Sequence, residues 1–177
     1  MSSTTYQSPP ICFPNQGTDG VLQEQLKLDE QGLKEWGRWI GQTLKPPAIL
    51  GLVGSLGAGK SVLARAIGAG AGVQVPMPSP SFNLVFRYEA DVGREVVHLD
   101  LYRIESPDDL WELGWNELGA ENEIIIVEWP EHACELMPPD HWLIHLTVVA
   151  ENIGLRDVRV QKVGSPKNEL SAFPISS

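Results

Sequence analysis

Cysteine is nearly absent. Cys12 and Cys134 are the only two in 177 residues, which excludes a disulfide framework and any zinc site built on paired cysteines. Basic charge is also short: 13 Lys and Arg stand against 23 Asp and Glu, a net charge of −10. Holding DNA or RNA needs clustered cations to neutralise phosphates, and no Lys/Arg run is present. No apolar run approaches the roughly 20 residues that span a bilayer. The first ten residues, MSSTTYQSPP, lack the basic start and apolar stretch of a secretory signal. These shortages predict a soluble cytoplasmic protein with no membrane or DNA partner.

What is present suits one globular domain. The chain is 42% hydrophobic and 20% charged, ordinary values for a packed core under a polar surface. Residues 1–20, rich in Ser, Thr and Pro, are expected to be disordered. Residues 21–163 form the domain, and the polar 164–177 is expected to be a flexible tail.

Alternation in LQEQLKL (22–28) predicts a half-buried strand. Asp29 caps a helix over 30–44, with Leu33, Trp36, Ile40 and Leu44 on one face, and Pro46 and Pro47 stop it. AILGLV (48–53) and EIIIVEW (123–129) are continuous apolar runs, as expected of strands covered on both faces. FNLVFRY and EVVHLDLY flank the turn-like EADVGRE and predict a hairpin. Ser106 and Pro107 open a short helix through DDLWEL. HWLIHLTVV (141–149) and RDVRVQKV (156–163) predict a terminal hairpin. VPMPSPSF (75–82), with alternate prolines, is an extended connection. Strands and helices alternate around 48–72 and antiparallel pieces follow, so the fold class is an α/β sandwich with a mixed parallel and antiparallel sheet.

The chemistry is concentrated in GSLGAGKS (54–61), which satisfies G-x-x-x-x-G-K-[ST] through Gly54, Gly59, Lys60 and Ser61. Glycines let backbone N–H groups wrap an anion, and the following helix adds its positive end. Lys60 would meet the terminal phosphates from a solvent-accessible position, and the Ser61 hydroxyl would ligate Mg²⁺. Such a site needs an acid at the end of a neighbouring strand. Asp100 ends VVHLD, where alternation with His98 leaves the strand one polar face. Glu128 ends IIIVE, an interior run whose end should emerge at the ligand crevice of an α/β sheet. We therefore assign Glu128 to the metal and Asp100 to orienting or activating water. His98 reads as a packing or hydrogen-bonding residue, and Trp129 is placed to line the nucleotide site.

In order along the chain, GSLGAGKS, SPSF, HLDLYRI and IIIVEWPE resemble the TsaE (YjeE) family of P-loop ATPases, over about Leu22 to Val160. The resemblance implies a Mg²⁺-dependent ATPase that acts with TsaB and TsaD in forming threonylcarbamoyladenosine at position 37 of tRNA, and the lack of clustered arginines to supply a finger predicts that hydrolysis by the protein alone is slow. The net charge of −10 predicts that any contact with tRNA is indirect, through a partner. It implies ATP contacts from Gly54, Ser55, Leu56, Gly57, Ala58, Gly59, Lys60, Ser61 and Val62. It further implies a switch-like segment over Ser79–Phe82 including Ser81, catalytic roles for Lys60, Asp100 and Glu128, metal ligation by Ser61 and Glu128, and nucleotide contact by Trp129. A late arginine near the nucleotide would be Arg159, with Arg156 second. Two departures stand out. Ser55 replaces the family's loop aspartate, which bears on partner or switch contacts, and SPSF replaces SPTF.

Two rival readings remain. A small-molecule or nucleoside kinase would carry an arginine-rich lid, and no Arg cluster appears. A nucleotide-gated binding module would use ATP to set a conformation, with hydrolysis incidental. A signalling GTPase would need N-K-x-D, which is not in the sequence.

Overall fold

The computed structural model describes residues 22–80, 84–133 and 136–170. The N-terminal 1–20, Ser81, Phe82 and residues 171–177 lie outside them. Among the described residues there are seven strands: β1 (Leu22–Asp29), β2 (Ala48–Val53), β3 (Val85–Glu89), β4 (Glu95–Asp100), β5 (Glu123–Glu128), β6 (His141–Val149) and β7 (Asn152–Val163). Three α-helices accompany them: α1 (Glu30–Thr43), α2 (Lys60–Ala71) and α3 (Pro107–Glu112). The strands form one sheet in the order β1-β7-β6-β2-β5-β4-β3. Strand β2 lies parallel to both β5 and β6, and β4 is parallel to β5. Antiparallel pairs close both sides: β3 with β4, β6 with β7, and β1 with β7. The mixed sheet expected from the sequence is observed.

Burial follows composition. All six residues of β5 are buried, as its unbroken Ile-Ile-Ile-Val run requires. One face of the sheet packs Leu50, Leu52, Ile126 and Ile144 against Leu33, Trp36 and Ile40 of α1 and Leu63 and Ile67 of α2. On the other face Val97, Leu99, Ile125 and Val127 meet Leu101, Leu110 and Trp115. The polar face expected of β4 exists, but it is turned inward: His98 and Asp100 are both buried.

Local signals explain where the helices begin. Asp29 accepts the Gly32 N–H at 2.7 Å as the N-cap of α1, and Asp109 accepts the Ser106 N–H at the start of α3. Helices α1 and α2 pack with backbone nearly touching backbone. A Cβ on Gly41 would lie 1.9 Å from the Ile67 carbonyl oxygen, and one on Gly70 would lie 2.0 Å from that of Arg38. Arg94 ties the ends of both helices together, donating to the carbonyls of Gly41, Leu44 and Ala71.

The flexible tail expected from Gly164 is held down through its first seven residues. Leu170 is buried, the Trp142 indole donates to the Asn168 carbonyl, and the Asn168 amide donates to the Lys45 carbonyl. Among the described residues, no helix is long and apolar enough to cross a membrane.

Candidate nucleotide site

Residues 54–59 link the end of β2 to the start of α2, at the centre of the sheet. Gly54 is at φ +156°, and a Cβ there would lie 2.5 Å from the Leu146 carbonyl oxygen. Gly59, at φ +106°, occupies the N-cap of α2 in left-handed conformation, which a side chain would disfavour. The loop is therefore glycine-dependent at both ends, and it delivers Lys60 and Ser61 as the first two residues of the helix.

Lys60 is only 4% exposed, not solvent-accessible as the motif suggested. Its Nζ donates to the carbonyls of Gly54 at 2.6 Å and Ser55 at 2.9 Å. It also lies 3.7 Å from the centroid of the Trp129 ring, within cation–π range. Burial pulls the Lys60 pKa below its ordinary value, while Glu128, Glu131 and Asp100 pull it back up.

The two carboxylates assigned from strand ends stand side by side. Asp100 and Glu128 are partners in the parallel β4–β5 register, and both are buried. Glu128 Oε2 accepts the Ser61 hydroxyl at 2.9 Å, and Oε1 lies 2.8 Å from His98 Nε2. Asp100 accepts from the Ser79 hydroxyl at 3.3 Å and from the Tyr102 N–H at 3.1 Å. The acid is thus tied to the first serine of SPSF. Ser81, the other serine proposed in that segment, lies outside the described residues.

Trp129 turns the chain out of β5 in a left-handed conformation, φ 59° and ψ 50°, uncommon for any residue but glycine. Its N–H donates to the Leu52 carbonyl, and its ring packs on Tyr102 with centroids 4.9 Å apart. Leu56 stands exposed at the loop tip, and Val62 is half-buried on α2.

One assignment is corrected. Arg159 does not approach the loop: it is exposed and pairs in register with His145 and Gln25, whereas its neighbours Val158 and Val160 join the core beneath the helices. Arg156 has the parity of those valines, and its Nε donates to the Ala58 carbonyl at 2.8 Å. A longer contact reaches the Gly57 carbonyl at 3.5 Å. The arginine hydrogen-bonded to the glycine loop is Arg156.

The family model for TsaE, described as threonylcarbamoyl adenosine biosynthesis protein, matches residues 28–158. The chain belongs to the TsaE family. It is 35% identical over 125 residues to the TsaE of Rickettsia felis, a match covering 70% of this chain and 72% of that one. With the TsaE of Aquifex aeolicus it is 31% identical over 146 residues, covering 80% and 98%. The crystal structure of Bacillus subtilis YdiB is similar with a TM-score of 0.60 at 22% identity, covering 80% of this chain and 87% of that one. That likeness concerns the α/β fold with its mixed sheet.

Three neighbours of the site were not singled out as functional from the sequence. In the sequence His98 reads as packing or hydrogen-bonding, although its spacing from Asp100 puts both on one face of β4. Tyr102 packs against Trp129 with its ring tilted by 47°. Glu131, inside EWPE, lies near enough to Lys60 for mutual attraction, and burial raises its pKa.

Proposed function

We propose that the protein binds ATP with Mg²⁺ and hydrolyses it as a component of the machinery that forms threonylcarbamoyladenosine at position 37 of tRNA, acting with TsaB and TsaD. The observation that carries the nucleotide half is the Ser61–Glu128 contact of 2.9 Å beside a glycine loop. The donors are hard oxygens, the kind Mg²⁺ takes, and this ion usually uses one or two protein oxygens with water and phosphate completing its shell. No group of three or more His, Cys, Asp or Glu fit to hold a metal occurs among the described residues, which suits an ion arriving with a nucleotide. Ser61 and Glu128 would hold it, and its charge would offset that of the β- and γ-phosphates.

The other roles are assigned by position. Lys60 faces the terminal phosphates from the start of α2. Asp100, adjacent to Glu128 and tied to Ser79, orients the attacking water. Trp129 covers Lys60 and lines the site. Family membership supports the tRNA-modification half.

Among the described residues the only arginine hydrogen-bonded to the loop is Arg156, and its donors are engaged by carbonyls. An arginine finger is worth about 10³ to 10⁵ in rate, so hydrolysis by the isolated protein should be slow. With a net charge of −10, tRNA is met through partners. The test is ATPase rate against added TsaB–TsaD, together with a gel shift of tRNA by the protein alone. Acceleration by the pair without a shift is expected. Fast hydrolysis indifferent to the pair, with tight tRNA binding, would remove the proposal.

A further inference from the structure

We infer that His98 is a positioning residue for the metal carboxylate: its Nε2–H fixes one oxygen of Glu128 so that the other is presented, beside Ser61, to a divalent cation. The inference rests on the reading of Glu128 as the metal ligand.

Glu128 divides its two oxygens between two partners. Oε1 lies 2.8 Å from His98 Nε2, and Oε2 accepts from Ser61 at 2.9 Å. A carboxylate held at one oxygen cannot rotate freely, so the direction of the second is set before a metal arrives. Outer hydrogen-bond partners of this kind orient metal ligands and raise their affinity for the ion.

The other imidazole nitrogen argues against a packing role. His98 is 0% exposed, and its Nδ1 has no hydrogen-bond partner among the described residues. An aliphatic side chain between Val96 and Ile126, both wholly buried, would fill this place with no polar atom left over. Burying an unpaired polar atom is costly, so the ring is explained by what Nε2 does. The unpartnered Nδ1 also sets the tautomer. A proton there would be a buried donor with nothing to donate to, whereas a proton on Nε2 meets a carboxylate oxygen.

The experiment measures the Mg²⁺ concentration that half-saturates binding of a fluorescent ATP analogue. Asparagine places its amide nitrogen near the position of Nδ1 and cannot reach Glu128, while glutamine places it near Nε2. His98→Asn should raise the half-saturating Mg²⁺ about 10-fold or more, and His98→Gln should stay within about twofold of wild type, on the scale known for outer-sphere partners. Analogue affinity in EDTA should be the same in all variants. Glu128→Gln separates the layers. If it leaves the Mg²⁺ requirement unchanged, the metal reading itself falls. If it raises the requirement while His98→Asn does not, or if both His98 variants raise it equally, His98 is not a positioning residue. Should His98→Asn fail to fold, long-range ¹H–¹⁵N spectra of the wild type decide. A proton on Nε2 whose resonance moves on adding Mg²⁺ and nucleotide is the expected result, and an Nε2 that carries no proton overturns the inference.

Discussion

Ser61 donates its hydroxyl to Glu128 Oε2 across 2.9 Å, although the two are 67 positions apart in the chain. One residue opens the helix after the glycine loop, and the other ends the neighbouring central strand. The contact needs β2 and β5 to be adjacent and parallel, and Leu52 is indeed the register partner of Glu128. The fold itself assembles the oxygen pair.

Glu128→Gln and Asp100→Asn should therefore fail in different ways. With Glu128 as the proposed metal ligand, its loss should weaken Mg·ATP binding by at least the 10- to 100-fold typical of outer-sphere partners, and turnover should fall with it. With Asp100 in the proposed water-orienting role, its loss should leave binding nearly intact and lower kcat by about 10²- to 10⁴-fold. Calorimetric titration with Mg·ATP and a single-turnover rate for each variant separate the two. If Asp100→Asn loses nucleotide while Glu128→Gln keeps it, the roles are exchanged.

Arg156→Ala should destabilise the loop, and Arg159→Ala should not. Arg156 spans the carbonyls of Ala58, Ile153 and Leu155, and losing charged-group hydrogen bonds of this kind costs about 1.5–3 kcal/mol. Arg159 makes no contact with the loop, and exposed substitutions usually fall within about 0.5 kcal/mol. Urea unfolding and ATP affinity of the two variants, measured side by side, check the assignment. Equal effects would place both arginines at the site.

Much of this was legible in the chain because burial writes itself into composition. AILGLV and IIIVE have no alternation, since a strand covered on both faces has no polar side, and they became β2 and β5. Asp29 and Ser106 marked helix starts because a cap needs a short polar side chain. Arg156 carries a signal in the sequence: in RDVRVQKV it shares parity with Val158 and Val160, the apolar face that lies under the helices. The neighbourhood of Asp100 and Glu128 was only half legible. Each ends its own strand, but their adjacency depends on β4 pairing with β5, a contact between distant segments that no local pattern encodes. The anchored tail was hidden by its polarity, since Asn168 holds it through backbone and amide contacts and Leu170 is its single buried apolar residue among those described. The motif named Lys60 without revealing that the lysine is sunk beneath its own loop.

Gly41→Ala should destabilise the protein even though alanine is the better helix former by about 1 kcal/mol. The added methyl would meet the Ile67 carbonyl oxygen at 1.9 Å and the Ala71 nitrogen at 2.6 Å, and backbone atoms cannot swing aside as side chains do. Overpacking typically costs about 1–3 kcal/mol, enough to reverse the propensity gain. Urea midpoints give the sign, and a stabilised Gly41→Ala protein would mean that the two helices are not in backbone contact.

Stability should fall as pH drops below about 6.5, the ordinary histidine pKa. Burial lowers the pKa of His141, opposed by its bond to the Pro138 carbonyl and by Asp140. Burial likewise lowers that of His145, with Gln161 opposing and Arg159 adding to the shift. Both stay neutral in the fold at pH values where the unfolded chain binds a proton. The unfolded state then holds more protons, so stability is complete above the unfolded pKa and declines as pH falls toward the folded values. Urea midpoints at pH 7.5 and 5.5 should differ for wild type and differ less for a His141→Gln/His145→Gln double variant. Equal pH dependence in the two proteins would rule out these histidines as its source.

Lys60 and Trp129 give the last test, because each holds the other in place. The ammonium sits 3.7 Å from the ring centroid and donates to two loop carbonyls. To meet a phosphate it must give up carbonyl bonds for charge-assisted bonds to an anion, and the ring must lose or reshape its cation contact. Nucleotide binding should therefore change the emission of Trp129. The chain has six tryptophans, so the control is Trp129→Phe, in which the change should disappear while binding persists. Lys60→Ala should fold, lose about 10- to 100-fold in ATP affinity, as expected for one charge-assisted bond, and show no emission change at wild-type saturating nucleotide. A folded Lys60→Ala protein with wild-type affinity would mean that the glycine loop is a turn between a strand and a helix and not a phosphate site.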